Sequence, residues 1–216
     1  MNSIFDVDCR RCPRLAAFLD AVHAEEPNYY CRPVPPFGDP GARLVLVGLA
    51  PGMHGANRTG RPFTGDHAGI LLYRTLYKFG LATAPQSIAA DDGLRLIDAR
   101  ITNSVKCLPP ANKPLPAEVK QCNAYLQSEL AQSPDARVIL ALGAIAHVAV
   151  LRAYGLPPAK FRFAHAAQHE LGEGRLLLDS YHCSRYNTQT RRLTTEMFEA
   201  VIGRARELAL LERDVP

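Results

Sequence analysis

Four short apolar runs punctuate the chain: LVLVG (44–48), ARITNSV (99–105), RVILALG (137–143) and RLLLDSY (175–181). Between them, apolar positions recur three and four residues apart, the spacing that gives a helix one apolar face. This predicts helices over residues 67–79, 117–130 and 144–154, with an opening helix over 13–24 and a closing one over 191–211. Strands alternating with helices predict an α/β protein, a three-layer α/β/α sandwich around a central four-stranded, mostly parallel sheet. The connector PNYYCRPVPPFGDPG has no period and reads as an ordered loop. In open parallel sheets, ligands sit outside the carboxyl ends of the strands. The segments after the first, second and fourth strands, which begin GLAPG, NSVKC and HCSRYN, are therefore the places to seek a site.

At 216 residues and 47% hydrophobic content the chain can bury one sizeable core, and a single domain over residues 1–216 is expected. The longest apolar stretch, VILALGAIAHVAVL, is too short for a membrane span and is broken by Gly143 and His147, so no membrane partner is expected. The opening MNSIFDVDCRRC has no apolar run of signal-peptide length, so a cytoplasmic location is expected, and separately a monomer. A net charge of +4 does not by itself prove a polyanionic partner. Arginines tell more: Arg58, Arg61, Arg185, Arg191 and Arg192 crowd two of the candidate segments and predict a local basic surface suited to DNA.

The segment GLAPGMHGANRTGRPFTGD (48–66) lacks both the GK[ST] of a P-loop and the GxGxxG of a dinucleotide fold. Read alone, it is a tight strand-to-helix turn in which Gly48, Gly52 and Gly55 supply backbone freedom. Its second half sets Phe63 and Asp66 just before an amphipathic helix. Asp66 suits the N-cap there, and a cap at a strand-top crevice also faces a ligand.

Six cysteines in a reducing compartment favour metal or redox chemistry over disulfides. Cys9 and Cys12 form C-x2-C, and Cys107 and Cys122 follow far downstream. Brought together they would make a four-thiolate site for zinc or an iron–sulfur cluster, and as unrelated thiols they would simply be core residues. Cys31 and Cys183 lack such partners. In DSYHCSRYNTQTRRLT (179–194), His182 directly follows a strand and stands out from His23, His147, His165 and His169, which read as ordinary surface or core residues. Asn103, at the end of the second strand in ITNSVKCLPPANKP, offers a donor and an acceptor on one amide, enough to pair with an adjacent acceptor and donor on a ligand's edge. It could also merely end the strand.

GLAPGMHGANRTGRPFTGD resembles the first motif of the uracil-DNA glycosylase superfamily, and the long HGANRTGRPFTGD form is similar to family 5, its broad-specificity branch. Family 4 has an early acid, as in GEAPG, where this chain has Leu49. The run from His182 to Asn187 resembles the second motif, HPSxxN, with Cys183 in the place of proline. Asn103 followed by a cysteine and PPANKP is similar to a third family segment.

The resemblance implies a 4Fe-4S cluster on Cys9, Cys12, Cys107 and Cys122 and hydrolysis of the N-glycosidic bond of uracil, and of other deaminated bases such as hypoxanthine and xanthine, in DNA during base excision repair. It assigns Asp66 to orient water toward C1′, His182 to hydrogen-bond the pyrimidine O2 and Asn103 to read the base edge. Gly48, Leu49 and Ala50 would form a backbone turn behind the base, Phe63 would stack on it, and His54 and Asn57 would lie close to it. Ser184, Arg185, Tyr186, Asn187 and Arg191 would hold phosphates or wedge into the gap left by the flipped nucleotide. Two readings from other classes compete: a noncatalytic nucleic-acid-binding module with a four-cysteine zinc site, and a cluster-dependent redox protein.

Overall fold

The computed structural model describes residues 5–210, so the first four residues and the expected helix end at residue 211 lie outside the described residues. The sheet has six strands, β1 (Phe37–Gly38), β2 (Leu44–Gly48), β3 (Ala99–Asn103), β4 (Val138–Leu142), β5 (Gln168–Gly172) and β6 (Arg175–Ser180), in the order β1-β3-β2-β4-β6-β5. The inner four are the expected apolar runs and are parallel throughout. The two edge strands run antiparallel and enlarge the expected four-stranded sheet.

Side-chain alternation on β2 builds the layers. Leu44 and Leu46 face one apolar layer, with Leu72 and Leu76 of α3 (His67–Lys78) and Phe198 and Ile202 of α7 (Thr195–Leu210). Val45 and Val47 face the other, with Leu15 of α1 (Pro13–Glu25), Leu126 and Leu130 of α4 (Pro116–Ala131) and Val150 of α5 (Ala144–Ala153). Each of these side chains is buried, contributing on the order of 2 kcal/mol of transfer free energy.

Two short helices complete the α-helices among the described residues, α2 (Ala56–Thr59) inside the glycine-rich segment and α6 (Arg185–Gln189) after β6, and single 3-10 turns stand at Pro110–Asn112 and Pro158–Lys160. The closing helix therefore does not begin at Arg191. Arg191 has a left-handed backbone (φ 57°), which ends the α6 segment, and α7 starts four residues later. The proline-rich connector is a loop except at β1, where Phe37 pairs with Ile101 and Gly38 with Arg100. Gly38 is required there, because its φ is +116° and a Cβ would lie 2.4 Å from the Ala99 carbonyl. No helix among the described residues is long and apolar enough to cross a membrane.

Parallel registry brings the strand ends together: Gly48 is paired with Asn103, and Leu142 with Ser180. Connections leave β2 toward β3 on one side and return to β4 on the other, so a crevice opens between β2 and β4.

Candidate active site

A cavity of about 680 Å³ occupies this crevice. Leu49, Ala50, Met53 and His54 line it from the loop after β2, Phe63 and Asp66 from the loop before α3, and His182, Ser184 and Arg185 from the segment after β6. The segment after β4 contributes as well, through Gly143 to Ala146, although that strand end was not among those expected to matter. Asn112 reaches in from the PPANKP segment.

Asp66 caps α3 as expected: its Oδ1 accepts the Gly69 N–H at 2.9 Å. Glycines make room for the carboxylate. A Cβ on Gly55 would lie 2.5 Å from Asp66 Oδ2. Burial raises the Asp66 pKa, opposed by the backbone N–H groups of Gly69 and Ala68 and by His67. The carboxylate is thus enclosed, with one oxygen on the helix terminus and the other toward the glycine-lined cavity wall.

The loop that carries Asp66 is fastened from beneath. Tyr73 donates its hydroxyl hydrogen to the Pro62 carbonyl at 2.8 Å. Arg61, counted in the expected basic surface, is instead buried. Its guanidinium donates to Ser87 Oγ at 3.0 Å, to Asp92 Oδ1 at 2.6 Å and to the Ala90 carbonyl, and it lies over the Phe37 ring at 4.4 Å. An arginine so occupied holds the loop and has no donor set to offer a phosphate.

His182 comes from the opposite wall. Asn187 donates its amide N–H to the His182 carbonyl at 2.8 Å, and Ser184 caps α6 by accepting the Asn187 N–H at 3.4 Å. Asn187 and Ser184 therefore fix the loop that presents His182. Cys183 is buried in the apolar layer, so the position that resembles a proline site is filled by a small core side chain. Although part of His182 reaches the cavity surface, its Nδ1 is sealed from solvent without a partner. Burial lowers its pKa to about 4, leaving a neutral imidazole at neutral pH. The two segments also meet at the cavity's edge, where His67, part of its lining, has Nε2 3.2 Å from Thr188 Oγ1.

Asn103 ends β3 with its Oδ1 buried and unpartnered. It does not line the cavity in this state. A Cβ on Gly48 would lie 2.4 Å from Asn103 Oδ1 and 2.6 Å from Phe63 Cζ, so the amide and the aromatic ring converge on the bare backbone of Gly48. His54 lines the cavity with its Nδ1 2.9 Å from the Tyr29 hydroxyl. Asn57 does not: it is fully buried, and its amide N–H points to Cys31 Sγ at 3.4 Å, tying α2 to the proline-rich connector. Arg185, part of the cavity lining, is exposed, as are Tyr186 and Arg191. Arg185 also lines an adjoining cavity of about 580 Å³ with Arg58, Asp66 and His67.

Cys9, Cys12, Cys107 and Cys122 surround one small apolar pocket on the far side of the sheet, with Tyr125 and Leu15. Burial raises the thiol pKa of Cys107 to about 12 and that of Cys122 to about 11, with the neighbouring sulfurs adding to the rise at Cys107. Four thiolates there require a strongly positive centre. The backbone N–H of Lys106 points to Cys122 Sγ at 3.3 Å, an outer partner of the sort that supports metal-bound sulfur. Cys31 and Cys183 stand outside this pocket.

The family model for the Uracil DNA glycosylase superfamily matches residues 35–206. A type-5 uracil-DNA glycosylase of Thermus thermophilus is 50% identical over 93% of this chain and 94% of its own length. Type-5 uracil-DNA glycosylases of Mycobacterium bovis and Pyrobaculum aerophilum are 44% and 41% identical over 98% and 92% of this chain, and 82% and 88% of theirs. With the matched segment running through the sheet and both walls of the cavity, the chain belongs to the uracil-DNA glycosylase superfamily, in its type-5 branch.

Proposed function

We propose that the protein, acting as a single domain over residues 1–216 and as a monomer in the cytoplasm, excises uracil and other deaminated bases from DNA by hydrolysing the N-glycosidic bond. The observation that carries this is the convergence of one enclosed carboxylate, Asp66, and one neutral imidazole, His182, on a single cavity. The base must leave the duplex to enter, at a cost of a few kcal/mol. Arg185, exposed on the cavity lining, and its exposed neighbour Tyr186 would hold the phosphates and fill the gap.

As the C1′–N bond breaks, its electron pair leaves with the base and the sugar becomes oxocarbenium-like. Asp66 offsets that charge and holds a water against C1′, whose oxygen forms the new bond while its proton passes to the carboxylate. The base departs as a delocalised anion, which removes the need for a strong acid. A neutral His182 donates its N–H to the developing charge on the pyrimidine O2 without adding a buried cation to the free enzyme. Asn103 pairs with the base edge once the base displaces or passes the Phe63 ring that shares its Gly48 contact.

Cys9, Cys12, Cys107 and Cys122 would hold a 4Fe-4S cluster, which supplies no step of the hydrolysis. It would cross-link the N-terminal arm, the segment after β3 and α4. The four cysteines meet at one pocket, which supports a shared metal centre, and the type-5 kinship favours a cluster. The direct test incubates the purified protein with oligonucleotides carrying uracil, hypoxanthine, xanthine or a thymine mismatch and reads abasic-site cleavage. Release of uracil with at least one deaminated purine supports the reading, and retention of every base overturns it.

A further inference from the structure

The geometry points to a second ligand site, for one divalent transition-metal ion of the zinc class, at His147, His169 and Asp179. These residues come from three elements, α5, β5 and β6, and none lines the catalytic cavity. The Asp179 side chain is fully buried, with one imidazole against each oxygen: His147 Nδ1 is 2.9 Å from Oδ1, and His169 Nε2 is 3.1 Å from Oδ2. All three residues' ligand atoms lie within 4.8 Å of one another.

The other nitrogen of His147 decides what belongs there. Nε2 lies 3.1 Å from the Phe161 carbonyl, which only accepts, so Nε2 carries a hydrogen. In a neutral ring Nδ1 then aims a lone pair at a carboxylate oxygen. Two acceptors at 2.9 Å need a positive centre between them. A proton would serve, but three features favour a metal ion. His169 brings a third donor to the same carboxylate. The Phe161 carbonyl is the outer partner that fixes the tautomer of a metal-bound histidine. A tetrahedral ion with bonds near 2.0–2.1 Å sets its ligands about 3.3 Å apart, a few tenths of an ångström more than the two histidine–carboxylate separations, and the remaining separation falls within the 4.8 Å that holds the whole group.

Phe163 and Phe161 meet the two imidazoles edge to face at 5.7 Å, making an apolar wall. His169, 14% exposed on the edge strand, leaves the way in. An ion bound here would brace α5, whose first turn walls the catalytic cavity, against β6, which runs directly into His182.

The test adds Zn²⁺ to the purified, cluster-bearing protein, counts bound metal after gel filtration, and records ring-nitrogen NMR of the histidines. The wild type should take up one zinc that His169→Gln does not, with binding weakened at least about tenfold in that variant. Its melting temperature should rise with zinc, and the His147 Nδ1 signal should shift as a metal-bound nitrogen. Asp179→Asn, which keeps the side-chain shape, should lose the same zinc. Equal uptake by wild type and His169→Gln would overturn the proposal, because the ion would then sit elsewhere. Hydrogens on both His147 nitrogens in zinc would also overturn it, identifying the positive centre as a proton. If neither variant folds, the wild-type ring spectra decide alone.

Discussion

The ring of Phe63 and the imidazole of His182 lie nearly parallel, with centroids 5.8 Å apart and planes inclined by 28°. The stack joins the glycine-rich segment to the segment after β6 across the cavity. A base between two rings needs two stacking distances of about 3.5 Å each, so this gap is too narrow to admit one. In the free protein Phe63 therefore buttresses His182 and limits the water around it.

This enclosure sets a pH dependence. A histidine with a folded pKa of about 4 binds fewer protons in the native state than unfolded, where its value is near 6.5. Native stability from this group is complete above about pH 6.5 and falls as pH drops toward 4, by about 2 kcal/mol at pH 5. Denaturant unfolding at pH 7.5 and pH 5 should show that loss in the wild type and a smaller one in His182→Gln. Equal losses would mean that the imidazole titrates normally.

Gly48 is predicted to be intolerant of a single methyl group. In Gly48→Ala the Cβ would meet Asn103 Oδ1 and Phe63 Cζ at less than 3 Å, displacing both at once. Uracil excision should fall by roughly tenfold or more, the scale of a misplaced positioning group, with the melting temperature lowered because Phe63 loses its seat. Wild-type kinetics in Gly48→Ala would show that neither residue's position matters.

Arg61 and Arg185 should separate cleanly. Arg61→Met removes the cation from Asp92, whose carboxylate keeps the N–H groups of Ile88, Ala89 and Leu94, and should cost on the order of 2 kcal/mol in denaturant unfolding. Arg185→Ala should leave stability unchanged, weaken DNA binding and reduce its salt slope by about one. Salt-dependent binding titrations check this, and an unchanged slope in Arg185→Ala would remove it from the interface.

The purified protein should be brown, with broad absorbance near about 400 nm that is lost in Cys107→Ser or Cys122→Ser. Metal and sulfide analysis checks it. A colourless protein with one zinc on these thiols would replace the cluster by a single ion.

Much of this was legible in the sequence where one residue serves two rules at once. The strand LVLVG alternates between two buried faces, and Asp66 stands where a helix cap and a strand-top ligand coincide. The edge strands were not legible. In QHELG only Leu171 is buried, so no apolar period marks it, while β1 is two residues long, too short to carry a period. Arg61 and Asn57 carry surface-type side chains, and only their distant partners Asp92 and Cys31 show that they are internal. His147 and His169 read as ordinary residues and Asp179 carries no signal of its own, because nothing in their spacing brings three elements to one point.

Asp66 carries the central claim. Asp66→Asn retains an oxygen for the Gly69 N–H, so α3 should stay capped and the melting temperature and DNA binding should persist. The decisive measurement is single-turnover release of uracil from an oligonucleotide under saturating enzyme, wild type against Asp66→Asn. A rate lower by roughly two orders of magnitude or more, with an unchanged melt, is the predicted result. A folded Asp66→Asn variant that releases uracil at the wild-type rate would make Asp66 a helix cap alone and contradict the account.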